Sequence, residues 1–279
     1  MSPQVSHRTS HRTTAVAPRP AAVPLRLRSA LVLGAASVAG LMMLGWPLLL
    51  DVPAGSRVDP PFLLLALLPL VIVVVLVEMS EGGMDSRVLA VLGVLSAVNA
   101  VLRALGAGTA GIELVFFLLV LGGRVFGAGF GFVLGCTSLF ASALMTAGVG
   151  PWLPFQMLVS AWIGMGAGLL PRARGRAEIA VLVAYAVVAS YLYGLLMNLS
   201  SWPFTLGVAV PGHEGSLSYV AGAPVLENLH RFLVYTLLTS TGTWDTGRAI
   251  TTSLAIVVLG PAILTTLRRA ARRVVVQPG

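Results

Sequence analysis

The chain has 279 residues, of which 57% are hydrophobic and only 10% charged, with a formal net charge of +8. A soluble domain carries about 25% charged residues, so polar surface is too scarce here to coat a water-soluble globule, and the chain reads as a polytopic membrane protein. Every basic residue is Arg, and the absence of Lys excludes a P-loop nucleotide site and Schiff-base chemistry.

The lone Cys136 excludes an intrachain disulfide and a thiolate metal cluster. Arg without Lys, beside abundant Ala, Gly and Val, suggests the codon usage of a GC-rich bacterial genome. The basic residues sit in the N-terminal tail and in short clusters beside apolar runs, where they set topology, so nucleic acid is not an expected partner.

Residues 1–27 are polar, Pro-containing and Arg-rich and are expected to form a disordered cytoplasmic tail. A span needs about 20 apolar residues, and candidates follow at 28–50, 61–78, 86–106, 112–122, 125–147, 154–170 and 178–200, with further apolar stretches at 224–241 and 249–267. The cluster Arg8, Arg12, Arg19, Arg26 and Arg28 places the N-terminus in the cytoplasm. PRARGR at 171–176 and RRAARR at 268–273 belong on the same side.

That parity admits only two crossings between Arg176 and Arg268. The stretch 224–241 carries Glu227, Asn228, His230 and Arg231, and an ionised side chain at mid-bilayer costs roughly 2.5–3.5 kcal/mol. It is therefore expected outside the membrane, in an outer segment from 201 to 248, leaving eight crossings with both termini cytoplasmic. The second span, 61–78, is rich in Leu, Val and Ile with no polar residue before Glu78, and with the first it reads as an accessory hairpin, 28–80. Residues 86–268 carry more small and polar residues and read as the working bundle, followed by a cytoplasmic tail at 269–279.

In the third span Gly93 and Ala97 are four apart, as are Ser96 and Ala100, a spacing that lets another helix approach closely. From pattern alone, ordinary packing within the bundle is the favoured account, because such spacing is common in apolar helices. Asn99 and Arg103 are also four apart; Arg103 is expected near the outer end, either pairing with Glu113 and snorkelling or walling a ligand site.

At the outer ends lie Trp152 and Gln156, then Asn198 and Trp202, then Asn228 and Arg231. Aromatic and hydrogen-bonding groups gathered on one membrane face suit a water-soluble ligand with an apolar body, and these six are the expected ligand residues. Asn228 and Arg231, three apart, project from one helical face. No catalytic motif is present, so neither an enzyme nor a cofactor is expected. Glu227 and His230 alone do not make a metal site. Intramembrane carboxylate pairs, the mark of a proton- or sodium-coupled carrier, are also missing.

RVLAVLGVLSAVNAVLRALG, FFLLVLGGRVFG and GFGFVLGCTSLFASALMTAGVGPWLPFQM, all within residues 87–170, resemble the substrate-binding S components of energy-coupling factor (ECF) transporters. Gly150–Gln156, GPWLPFQ, is the most specific piece. The resemblance implies an S-component-like six-helix core extended by the N-terminal hairpin. It implies a vitamin-binding importer subunit of the bacterial cytoplasmic membrane; the length of 201–248 makes cobalamin the leading substrate, with riboflavin, thiamine, biotin and others open. It also implies docking, through the Gly93-x-x-x-Ala97 stripe with Ser96 and Ala100, on a transmembrane coupling protein driven by two ABC-type ATPases. A self-sufficient secondary carrier and an integral membrane enzyme or assembly factor are the competing readings.

Overall fold

The computed structural model describes residues 21–49, 53, 61–81, 84–106, 111–204, 210 and 214–275. Most of the expected N-terminal tail, with His7 and His11, and also His213, lies outside the described residues. The described chain is all-helical: α1 (Leu27–Leu49), α2 (Pro61–Glu81), α3 (Ser86–Gly106), α4 (Val115–Phe126), α5 (Ala128–Met145), α6 (Leu153–Leu169), α7 (Gly175–Ser201), α8 (Val225–Thr236), α9 (Thr246–Val258) and α10 (Gly260–Val275). Among the described residues, four helices are long and apolar enough to cross a membrane: Leu27–Leu49, Ser86–Gly106, Ala128–Met145 and Gly175–Phe204. A fifth crossing arises if the bent pair Val225–Val258 and Gly260–Arg273 is one span.

The short helix α4 stands at the centre. All of its residues but Arg124 are buried, so it needs neither a polar face nor the length of a lipid-facing span. Helices α5 and α6 pack on it and on each other through glycine. A Cβ at Gly131 would meet the Gly164 carbonyl, and one at Gly135 would lie 2.5 Å from the Ala161 Cα. Side chains at these positions would hold the backbones apart, so the glycines are what let the helices touch.

Arg124 ends the buried helix at the arginine-rich end of the bundle. It donates to Glu178 Oε1 at 2.8 Å and to the Leu170 and Pro171 carbonyls at 3.0 and 3.1 Å. Arg268 of α10 donates to the same Glu178 oxygen at 2.6 Å. One clasp thus joins α4, α7 and α10 and satisfies carbonyls left over where α6 ends. Beside it, Ala22 and Val23 donate backbone hydrogen bonds to Val125 and Phe126 at 3.2 and 2.9 Å, so the lead-in to α1 is fixed beneath the bundle.

The helix α1 lies along α6, with Trp162 Nε1 donating to Ser37 Oγ at 2.9 Å. At its other end, the Trp46 ring centroid is 6.1 Å from those of both Phe204 and Tyr219.

The last third of the chain differs from the sequence expectation. The stretch 224–241 is not a separate helix. It forms the first part of one continuous helical rod, Val225–Val258, in which α8 and α9 are joined by a π-helical segment at Leu237–Asp245. Thr241 and Thr246 hydroxyls bond carbonyls five residues back, at 3.3 and 2.7 Å, which favours the wider π turn over a break.

The expected last span, 249–267, is interrupted at Gly260–Pro261, where the chain bends by 68°. Pro261 removes a helix donor and its ring crowds the preceding turn. The amphipathic helix α10 follows, turning Leu264, Leu267 and Ala271 inward while Arg269, Arg272 and Arg273 stay exposed.

Candidate functional site

Where α3, α5 and α6 meet, near the end opposite the arginine clasp, Arg103 joins all three. Its Nη1 donates to Ser142 Oγ at 3.0 Å and its Nη2 to Gln156 Oε1 at 3.1 Å. The expected Arg103–Glu113 pair is not formed. Glu113 Oε2 instead accepts from Arg248 Nε at 2.6 Å, and Asp245 Oδ1 accepts from Arg248 Nη1 at 2.9 Å. The reason is position: α9 presents Arg248 directly to the start of α4, while Arg103 turns across the bundle toward α5 and α6. Arg248 is closed over by the Tyr193 and Phe116 rings, 4.8 and 5.4 Å from their centroids. A Cβ at Gly111 would run into the Trp244 carbonyl, so this glycine lets the loop before α4 press against the π segment.

One helical turn toward the bundle centre from the Arg103 trio lies a second polar layer. Asn99 is four residues before Arg103, Ser138 four before Ser142, and Ser160 four after Gln156. Each stands seven residues from the end of its helix nearest the Arg103 trio, at Gly106, Met145 and Leu153 respectively. That is a common depth of about 10 Å at 1.5 Å per residue.

Residues four apart share a helix face. The hydrogen bonds of the trio therefore fix the direction in which Asn99, Ser138 and Ser160 project as well. They are buried, at 0%, 1% and 0% exposure; neither polar atom of Asn99 nor the Ser138 hydroxyl has a hydrogen-bond partner in the protein, while the Ser160 hydroxyl lies against the Tyr193 phenol of α7. Thr252, one turn along α9 from Arg248, is likewise 0% exposed and unpartnered.

Such groups are rare in folded proteins, and each costs about 1–3 kcal/mol when left unmade. Asn99 and Ser138, one turn along the helix faces that carry Arg103 and Ser142, are groups that a hydrogen-bonding molecule could satisfy.

The six residues expected to bind ligand fall into two groups. Gln156 belongs to the trio. Asn198, near the end of α7, has a buried side-chain nitrogen without a partner. Trp152 caps α6 and is 52% exposed.

Trp202, Asn228 and Arg231 belong instead to a separate cap built from Trp202–Phe204, the segment 214–224 and α8. Trp202 is fully buried, donates its indole N–H to the Leu217 carbonyl at 2.7 Å, and packs against Tyr219 and Phe232 with centroids at 5.5 and 5.4 Å. The Asn228 amide accepts from the Val220 N–H at 3.0 Å and donates to its carbonyl at 2.9 Å. Arg231 donates to Glu227 at 2.7 Å and to the Ser216 carbonyl at 3.0 Å. These three side chains are occupied in holding the segment 214–224 onto α8.

Sequence reading did not single out Ser138, Ser160 or Thr252, since a hydroxyl in an apolar helix looks like packing until its neighbours are known. The small-residue stripe also divides. Ser96 is buried and bonded to Thr137 at 2.6 Å, and Ala100 is fully buried. Gly93 and Ala97 face outward, with nothing within 4 Å of a Cβ at Gly93. Among the described residues no group of three or more His, Cys, Asp or Glu side chains is placed to hold a metal.

No curated protein and no solved structure matches this chain. The family described as "ECF transporter, substrate-specific component" matches residues 87–276, which begin at the first turn of α3 and include the Arg103 trio, the buried polar layer and the rod. The chain belongs to the substrate-specific components of ECF transporters.

Proposed function

We propose that this protein is the substrate-binding subunit of an ABC-type ECF importer for a water-soluble vitamin or related micronutrient, in the cytoplasmic membrane of a bacterium. Substrate-specific components associate with a transmembrane coupling protein and ATPases, and the absence of Lys, hence of a P-loop, in this chain agrees with ATP being hydrolysed by such partners. The proposed bundle has six crossings, α3 to α7 and the rod, with α1 and α2 as an accessory hairpin against lipid and both termini cytoplasmic. Here α10 lies along the cytoplasmic surface. Gly93 and Ala97 are proposed to meet the coupling protein, since their face is open and small.

The observation that carries the reading is the pair Asn99 and Ser138, unpartnered and fully inside the bundle one helical turn from Arg103 and Ser142. With Arg103 and Gln156 it is proposed as the ligand site, and Asn198 and Trp152 as its outer margin. Trp202, Asn228 and Arg231 are proposed to act on binding through the cap they hold. Cobalamin belongs in any test panel. Its support from a long outer segment is weaker, however, because 225–248 is helical and only the chain before Val225 is left to form a loop.

Purification from cells grown in complex medium, followed by mass spectrometry of released small molecules, is the direct test. One vitamin-like compound should be retained by the wild type and lost from the Asn99→Leu, Ser138→Val double variant. Retention of the same compound by the double variant would move the site elsewhere.

A further inference from the structure

Two neighbouring groups on α3 restrict the chemistry of the ligand, if the layer around them is the binding site proposed above. The first is Arg103. Both hydrogen bonds it makes go to neutral oxygens, those of Ser142 and Gln156, and it forms no ion pair among the described residues. A guanidinium carries five N–H donors, so donors remain and the positive charge has no adjoining carboxylate. The nearby excess of negative charge, Glu113 with Asp245, is shared on Arg248 instead.

The second group is Asn99, one turn further in. Its side-chain oxygen and nitrogen are both buried and both without partners. An amide in that state offers one acceptor and one donor edge to edge. The complementary partner is a neutral group with the same paired edge, as in an amide, lactam or ureide. Ser138, one turn from the Ser142 that Arg103 bonds, adds a buried hydroxyl of either polarity and no charge. The inner layer therefore favours a neutral head, and the outer trio favours an anion.

We propose that the ligand is a small carboxylate whose anion pairs with Arg103 while a neutral amide or ureide edge is held by Asn99. A separation of one helical turn, about 5–6 Å, between the two side chains asks for a compact molecule rather than a macrocycle.

The test measures binding to the full-length protein in detergent. The probes are biotin and pantothenate, their neutral counterparts biotin methyl ester and pantothenol, and thiamine, riboflavin and cobalamin. At least one of the two acids should bind, with its neutral counterpart about 10- to 100-fold weaker, the range expected on losing a charge-assisted hydrogen bond. In Arg103→Gln the acid and its neutral counterpart should bind equally, and in Arg103→Lys the preference should partly return. Asn99→Leu should weaken both forms alike. Thermal melts of each variant establish that it is folded.

Failure of both acids to bind, tighter binding of thiamine, riboflavin or cobalamin, or an undiminished acid preference in folded Arg103→Gln would overturn the proposal. A bound thiamine that is imported with a coupling module would leave the transporter reading intact and remove only the carboxylate. Absence of both binding and ATP-driven uptake would remove both.

Discussion

Asn99 and Asn228 show how one residue type serves two ends in this protein. The Asn228 amide has both its needs met by Val220 and fastens the cap. The Asn99 amide has neither met. Their replacement should therefore differ in sign. Asn228→Ala should lower stability by about 1–3 kcal/mol, because two backbone groups of Val220 lose their partner. Trp202→Ala should cost more, about 3–5 kcal/mol, through the cavity left between Tyr219 and Phe232. Asn99→Leu removes an unpaired buried amide and should leave the ligand-free protein as stable as wild type or more so, while weakening ligand binding. Thermal melts in detergent with and without ligand separate these cases. A ligand-free Asn99→Leu protein that melts well below wild type would mean that Asn99 holds the fold.

Among the elements, glycine has opposite meanings on neighbouring helices. Gly164 faces Gly131 so closely that a Cβ at either would reach the other's carbonyl. Gly93 has open space at the corresponding point. Gly164→Leu should prevent α5 and α6 from meeting, and should show as loss of folded protein by size-exclusion chromatography. Gly93→Leu should fold, bind ligand at wild-type strength and fail in uptake, because bulk on an open small-residue face keeps a partner helix away. Normal uptake by Gly93→Leu would return that face to lipid.

Helices with a uniform apolar character were legible in sequence, because a span advertises itself by length and composition; α3 is expected at 86–106 and found at Ser86–Gly106. The rod was not legible, since Glu227, His230 and Arg231 read as outer-surface residues and concealed their continuity with α9. The π segment that joins them depends on Thr hydroxyls turning back on their own helix, which no periodicity reveals. The site was legible in part. Asn99 and Arg103 declared themselves by charge and spacing, and Gln156 as the amide at the start of α6. Ser138 and Ser160 could be recognised only once the Arg103 hydrogen bonds had fixed which faces of α3, α5 and α6 look at one another.

For the molecule as a whole, the arginine clusters and the buried polar layer sit at opposite ends of the bundle. The proposed topology puts the clasp of Arg124, Glu178 and Arg268 inside and the cap of Trp202, Asn228 and Arg231 outside. The only native thiol, Cys136, is buried, so single cysteines can be read against a quiet background. Cysteine at exposed Ser216 should react with an impermeant maleimide in intact cells, and cysteine at exposed Arg269 only after permeabilisation. Labelling of both from outside would mean that the rod does not cross the membrane.

The central claim is that the chain captures a ligand and relies on a separate ATP-driven module to move it. Uptake of the bound compound into proteoliposomes tests this most directly, using this chain alone and this chain with an ECF coupling protein and its two ATPases. The account predicts accumulation only when the module is present and ATP is supplied. Accumulation by the chain alone under a proton or sodium gradient would contradict it.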